Sequence, residues 1–291
     1  MRRILAATDF STRSDRALRR AVLIAGQFDA ALILVHVVDD DQPVYLIDRQ
    51  RAAASELLEQ TARTIAEVDH VATEVVITAG DAFTGILWAA GETDADLVIV
   101  GPHRRQLMDT FIGTTAERTI RRSQHPVLMA NAMPSARYNR ILAAIAFDEA
   151  SRSAVEAAQR LGFLEQTEVM ALYLFDAPAL GMMKRGTSVP EAIDHYVDNE
   201  KQRVSAEFAS LLSGAGLLRA QPLLQPKTGS PAHEILSCAD ARDVDLIVVG
   251  TNQRKGVERF LLGSVAQRVL LDAKQDVLVV PVTREGELMR Q

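Results

Sequence analysis

The chain has 291 residues, 48% of them hydrophobic and 24% charged, with 16 Gly and 10 Pro; this excludes collagen-like, low-complexity and wholly disordered chains and leaves length for two domains. A net charge of −6 excludes the broad basic surface that nucleic acid or an anionic membrane requires. With Cys238 as its single cysteine, the chain has neither an intramolecular disulfide nor a thiolate cluster for structural zinc.

The N-terminal apolar run Ile4 to Ala7 stops at Thr8 and Asp9, too short for the core of a signal peptide. Ala30 to Val38 falls well below the roughly 20 residues that cross a bilayer. The expected location is the cytoplasm. Short β-branched runs predict strands over 3–8, 31–38, 72–78, 96–100 and 126–130, with amphipathic helices between them. The first helix carries Leu18, Ala21, Val22 and Ala25 at the spacing of one buried face. Ala132 to Asn139 contains proline and no periodicity, and reads as a linker. Strands follow over 140–146, 168–175, 219–225, 245–249 and 276–281, and Ser230-Pro231 reads as an N-cap with proline at the first helical position. The polar tail from Thr283 is expected to fray.

The chain is written twice. Ile4-Leu5-Ala6-Ala7 recurs as Ile141-Leu142-Ala143-Ala144, and Phe10, Ser14, Ala17 and Ala21 recur as Phe147, Ser151, Ala154 and Ala158. Asp96 to Gly101 recurs as Asp245 to Gly250, and Val127-Leu128 as Val277-Leu278. The offset grows from 137 (141 − 4) to 149 (245 − 96) and 150 (277 − 127), which places an insertion in the second copy between Ala177 and Pro190. Alternating strands and helices in each copy make a parallel sheet covered by helices.

In such a sheet, ligands sit beyond the carboxyl ends of the strands. In copy one those positions are Thr8, Asp9, His36, Val37 and the loop from Gly101 to Thr115; in copy two they are Ile145, Ala146, Tyr173, Leu174 and the loop from Gly250 to Val265. Gly113-Thr114 and Gly263-Ser264 each open a helix, where free N–H groups and the helix dipole favour phosphate. A plainer explanation competes: Thr114 with Glu117, and Ser264 with Gln267, fit a capping box that satisfies those N–H groups internally. Spacing alone favours the capping explanation.

The start Ile-Leu-Ala-Ala-Thr-Asp-Phe-Ser, Gly80-Asp81, Asp-Leu-Val-Ile-Val-Gly and Gly263-Ser264-Val265-Ala266-Gln267-Arg268-Val269-Leu270 together resemble the universal stress protein family, in both copies and over nearly the whole chain. The resemblance implies a tandem member with two Rossmann-like (adenine nucleotide alpha hydrolase-like) domains at 1–131 and 140–282. Each would be a five-stranded parallel sheet of order 3-2-1-4-5 with helices on both faces, and the two would pair through their last strands as an internal pseudo-dimer.

ATP-binding members of that family carry glycine, two residues, glycine, nine residues, then Gly-Ser or Gly-Thr, with an aspartate after strand one contacting the nucleoside. By that resemblance the candidate ATP or ADP contacts are Thr8, Asp9, His36, Val37, Gly101, His103, Arg104, Gly113, Thr114 and Thr115 in copy one, and Gly250, Asn252, Gln253, Gly263, Ser264 and Val265 in copy two. Both copies depart from the pattern. In copy two, Gln253 replaces the second glycine and Ala146 the aspartate. In copy one, Asp9 and His36-Val37 are in place, but Arg104 replaces the second glycine and the loop to Gly113 is one residue short. Arg104 either blocks close backbone approach or itself pairs with phosphate. Copy one is the better nucleotide candidate.

Weaker constellations are Asp9, His36, Asp39 and His103 as a divalent-metal set, the run His103-Arg104-Arg105 as a solvated basic face, and Met182-Met183 in the insertion as a flap over an apolar ligand. His195 and His233 are expected exposed and Cys238 buried. The chain has no nucleophile elbow, Walker loop or paired catalytic carboxylates in a recognisable context. The expected function is non-catalytic: stress-response binding of an unidentified protein or small molecule, without nucleic acid or membrane. An ATP/ADP-binding switch or slow ATPase in copy one, and an apolar-ligand binder near 177–189, are the alternatives. Whether two chains associate further stays open.

Overall fold

The computed structural model describes residues 1–102, 113–186, 189–251 and 262–281. The first half contains β1 (Arg3–Ala7), α1 (Thr12–Phe28), β2 (Ala31–Val38), α2 (Val44–Val68), β3 (Thr73–Ala79), α3 (Ala82–Glu92), β4 (Leu97–Val100), α4 (Thr115–Arg122) and β5 (Val127–Met129). The second contains β6 (Arg140–Ile145), α5 (Glu149–Arg160), β7 (Glu168–Phe175), α6 (Leu180–Arg185), α7 (Pro190–Gly214), β8 (Gln221–Pro226), α8 (Pro231–Ala241), β9 (Leu246–Gly250), α9 (Ser264–Asp272) and β10 (Asp276–Val280). Every predicted strand is present, its ends shifted by no more than two residues. The tail from Thr283 lies outside the described residues.

The strands form one ten-stranded sheet of order β3-β2-β1-β4-β5-β10-β9-β6-β7-β8. Each half has the expected order 3-2-1-4-5 and is parallel within itself; β5 and β10 join the halves antiparallel. The register there centres on Leu128 opposite Leu278, with Val127 opposite Val279 and Met129 opposite Val277. The two leucines are equivalent positions of the repeat, so the local two-fold passes between them. An antiparallel junction points the two halves in opposite directions, which sends their strand carboxyl ends to opposite sides of the molecule. Pro222 and Pro226 lie on β8 at the sheet margin, where a missing N–H interrupts no interior ladder.

Alternation along the strands feeds two faces. Ile86, Ile120, Ile235 and Val269, from α3, α4, α8 and α9, pack with Leu5, Val98, Leu142 and Val277 into one core that runs beneath both halves. The opposite face is covered by α1, α2 and α5 over Ile4, Leu34, Leu128 and Leu278, and by α7 through Phe208 and Leu212. On α1 the buried stripe is Ala17, Arg20, Ala21, Ile24 and Ala25, slightly rotated from the predicted face: Leu18 and Val22 are half-buried and a charged residue, Arg20, is 4% exposed.

Arg20 is buried because the second half supplies its counter-charge. Its Nε lies 2.7 Å from Asp276 Oδ2, its Nη1 donates to the Ala136 carbonyl at 2.8 Å, and its guanidinium stacks 4.4 Å above the Tyr138 ring. Asp276 also accepts from Tyr138 Oη at 2.6 Å and from the Ala132 N–H at 2.8 Å. Burial and the Asp276 charge push the Tyr138 phenol well above its ordinary range, so it remains a donor. The segment Ala132 to Asn139, without helix or strand as predicted, is thus a seam that ties the halves rather than a loose tether.

Candidate ligand-binding crevices

At the carboxyl ends of β1, β2 and β4 a cavity of about 250 Å³ opens between the starts of α1, α3 and α4. It gathers Thr8, Asp9, His36, Val37, Gly101, Thr114 and Thr115 from four separate stretches of chain, over a floor that includes Ala7, Val35, Ile86 and Val100. Gly113 precedes the helix cap and is absent from the lining. His103 and Arg104 lie outside the described residues.

Each side chain is fixed locally. The Ser14 hydroxyl lies 3.1 Å from Thr8 Oγ1 and accepts from the Asp9 N–H at 3.3 Å. Asp9 accepts from the Ser11 N–H at 3.0 Å. Burial alone would raise the Asp9 carboxyl, but bonds from Ser11 and Ser14 and the nearby Arg13 charge outweigh it and hold the group below its ordinary value. His36 Nδ1 lies 2.9 Å from the Thr8 carbonyl, which can only accept, so Nδ1 carries a proton. Phe10, with a left-handed φ of 61° and 46% exposure, lays its ring 4.5 Å from His36. An exposed aromatic held in a strained backbone at a cleft rim is a functional hint.

The two helix starts differ. Thr114 caps α4 by accepting from the Glu117 N–H at 3.1 Å, while Glu117 Oε2 accepts from the Gly113 N–H at 3.1 Å. This is the predicted capping box, and its carboxylate also meets Arg121 at 2.9 Å. The corresponding expectation for Ser264 and Gln267 is overturned: α9 begins at Ser264 itself, its N-cap is Gly263, and no side chain caps it. A residue inside the first turn cannot play the cap, and glycine has no side-chain acceptor to offer. Thr114→Ala is expected to cost about 1 kcal/mol in urea unfolding, and Ser264→Ala less than about 0.5 kcal/mol. Equal losses would contradict the difference. Ser230 likewise sits at the N-cap of α8 with Pro231 behind it, as predicted, but makes no side-chain cap bond.

In the second half the equivalent space is larger, about 620 Å³. Gly250, Gly263, Ser264 and Val265 line it, while Asn252 and Gln253 lie outside the described residues. Ala146 stands at the position of Asp9, and Leu172, Leu174, Ile235, Val249 and Leu262 make the walls.

Gly101 and Gly250 have a packing reason that sequence reasoning missed. A Cβ on Gly101 would sit 2.8 Å from the Arg13 carbonyl oxygen, and one on Gly250 would collide outright with the Ala150 carbonyl. Glycine there lets a strand end touch the start of α1 or α5. Sequence reasoning also passed over Ser14 and Phe10 as site residues, although the repeat preserves both, as Ser151 and Phe147. The Ala146 N–H donates to the Ser151 hydroxyl at 2.9 Å, reproducing the Asp9–Ser14 bond.

Among the described residues no three His, Cys, Asp or Glu side chains gather as a metal site; His36 and Asp39 belong to that set and His103 lies outside. Cys238 is buried, with its thiol pushed up by burial, and His195 and His233 are exposed. The insertion forms α6, seated through Leu180 on Phe175 and Ala177, with the Ala179 N–H donating to Tyr196 Oη at 3.1 Å. Met182 is 67% exposed, and none of the described residues of 177–189 lines the second cavity.

Two wound sheets fused edge to edge, each with a crevice at its strand ends, define a tandem α/β protein of the Rossmann type. The model of the universal stress protein family matches residues 1–131 and 137–281, and the chain belongs to that family, as a two-domain member. It is similar to a universal stress protein of Methanocaldococcus jannaschii (35% identity over 133 residues, 45% of this chain and 73% of the relative) and to one of Bacillus subtilis (31% over 147 residues, 49% and 99%). The crystal structure of a universal stress protein from Archaeoglobus fulgidus shares the fold, with a TM-score of 0.73 at 18% identity over 97% of this chain and 98% of that one. Among the described residues no helix is long and apolar enough to cross a membrane.

Proposed function

We propose that this protein is a non-catalytic, cytoplasmic stress-response protein, built of units at 1–131 and 140–282, whose first crevice takes the nucleoside end of ATP or ADP. The observation that carries this reading is the convergence of Thr8, Asp9, His36, Val37 and Gly101 on one cavity with an apolar floor. Asp9 is an ionised acceptor suited to ribose hydroxyls, and Val35, Ile86 and Val100 offer a surface for a flat base. The phosphate end is less favourable. Glu117 occupies the start of α4, and a carboxylate there opposes an anion, so adenosine supplies most of the affinity and phosphates add little.

Titration calorimetry of the whole chain with adenosine, ADP and ATP tests this. One site per chain is expected, with Asp9→Ala weakening all three by about ten- to a hundredfold, the range for lost hydrogen bonds to a charged group. No heat with any of them would end the reading. The Asp9 carboxyl is held below its ordinary value, so its acceptor role is complete above that value and is lost only as pH falls through the depressed one. The Asp9 contribution to affinity is therefore expected to stay flat from about pH 8 to about pH 5.

A further inference from the structure

The second crevice lacks the Asp9 carboxylate and Thr8 hydroxyl of the first, where Ala146 and Ile145 stand, keeps polar groups at Asp148, Ser151, Tyr173 and Ser264, and is larger. Where the first half presents Asp9 and His36, the second presents Ala146 and Tyr173, and the lining between them is Ala144, Leu172, Leu174, Val249, Leu262 and Val265. At about 620 Å³ the space falls within the range of small-molecule sites, whereas 250 Å³ in the first half is at or below its lower edge. Two polar groups of the lining are engaged with each other and the backbone: the Ser151 hydroxyl accepts from the Ala146 N–H at 2.9 Å, and Asp148 accepts from the Ser151 N–H at 2.9 Å. Among the described residues the cation of the lining is Lys227, half-exposed on the strand-end side of β8 and only loosely paired with Asp176 at 3.7 Å.

We propose that the second crevice is a site for an apolar small molecule bearing a single acidic group, with the apolar body against Leu172, Leu174, Val249 and Leu262 and the acid at Lys227. A ribose has no acceptor to meet at Ala146, so nucleosides are poor occupants. Replacing carboxylate by methyl at this strand end lowers the cost of burying hydrocarbon beside it, because that one charge no longer has to be desolvated. Burial of apolar surface at roughly 25 cal/mol per Å² supplies the affinity, and one ammonium at the rim selects the sign of the head group. The site is independent of the nucleotide reading for the first half, and neither stands or falls with the other.

The probe is 1-anilinonaphthalene-8-sulfonate, an aromatic body with one sulfonate, titrated into the full chain by calorimetry and fluorescence. One probe per chain is expected, undisturbed by excess ADP. Ala146→Asp, which restores a charge at an exposed position, and Lys227→Gln, at a half-exposed one, should each weaken it about tenfold without lowering the melting temperature. Ala144→Leu should exclude it by filling the cavity. Absence of a saturable site, displacement by ADP, or binding unchanged in Ala146→Asp and Ala144→Leu would overturn the proposal; loss in those two with Lys227→Gln unaffected would overturn the acidic head group.

Discussion

Asp276→Ala is expected to lower the unfolding free energy by roughly 3–5 kcal/mol, because it strands the Arg20 guanidinium in the seam between the halves without a counter-charge. Asp276 is fully buried and Arg20 nearly so. The same substitution leaves the Tyr138 hydroxyl and the Ala132 N–H without their acceptor. Urea unfolding followed by circular dichroism measures the loss. A double variant, Arg20→Met with Asp276→Leu, removes both charges together and should recover the part owed to the stranded guanidinium, since an apolar pair of similar volume carries no desolvation cost, while the Tyr138 hydroxyl and Ala132 N–H stay without their acceptor. A loss below about 1 kcal/mol in the single variant would show that water reaches the pair and that the seam is not dry.

Gly250→Ala should be the second most damaging change. Its methyl has to displace the backbone of Ala150 rather than a side-chain tip, and overpacking of that kind costs about 1–3 kcal/mol or more. Gly101→Ala, whose methyl meets Arg13 at 2.8 Å, should cost less. Both losses are expected in protein free of any ligand. If thermal melts of the ligand-free variants matched the parent, the packing explanation would fail, and these glycines would have to be explained by what binds beside them.

The strands and their duplication were legible in the sequence, because buried parallel strands are written as short β-branched runs and the repeat supplied each twice; their order came with the family resemblance. The first crevice was legible too, since residues at strand ends are known once the strands are placed. The helix starts were not. Thr-x-x-Glu and Ser-x-x-Gln look alike on paper, yet only Thr114 precedes its helix, while Ser264 is already inside one. A shift of one residue moves a hydroxyl from cap to first turn, and spacing cannot register it. The rotation of the α1 stripe that buries Arg20 escaped for a related reason: a charged residue is read as exposed until its partner is known.

By itself the sequence determined the duplicated alternation of strands and helices and the placement of Asp9, His36 and Gly101 at strand ends, because periodicity and chain direction are local properties. Tertiary structure alone decided that Arg20 meets Asp276 across the seam, that Gly101 and Gly250 serve backbone contact, and that the two crevices differ in volume. Those outcomes depend on which groups remote in the chain share space, and burial energies act through that proximity rather than through spacing along the chain.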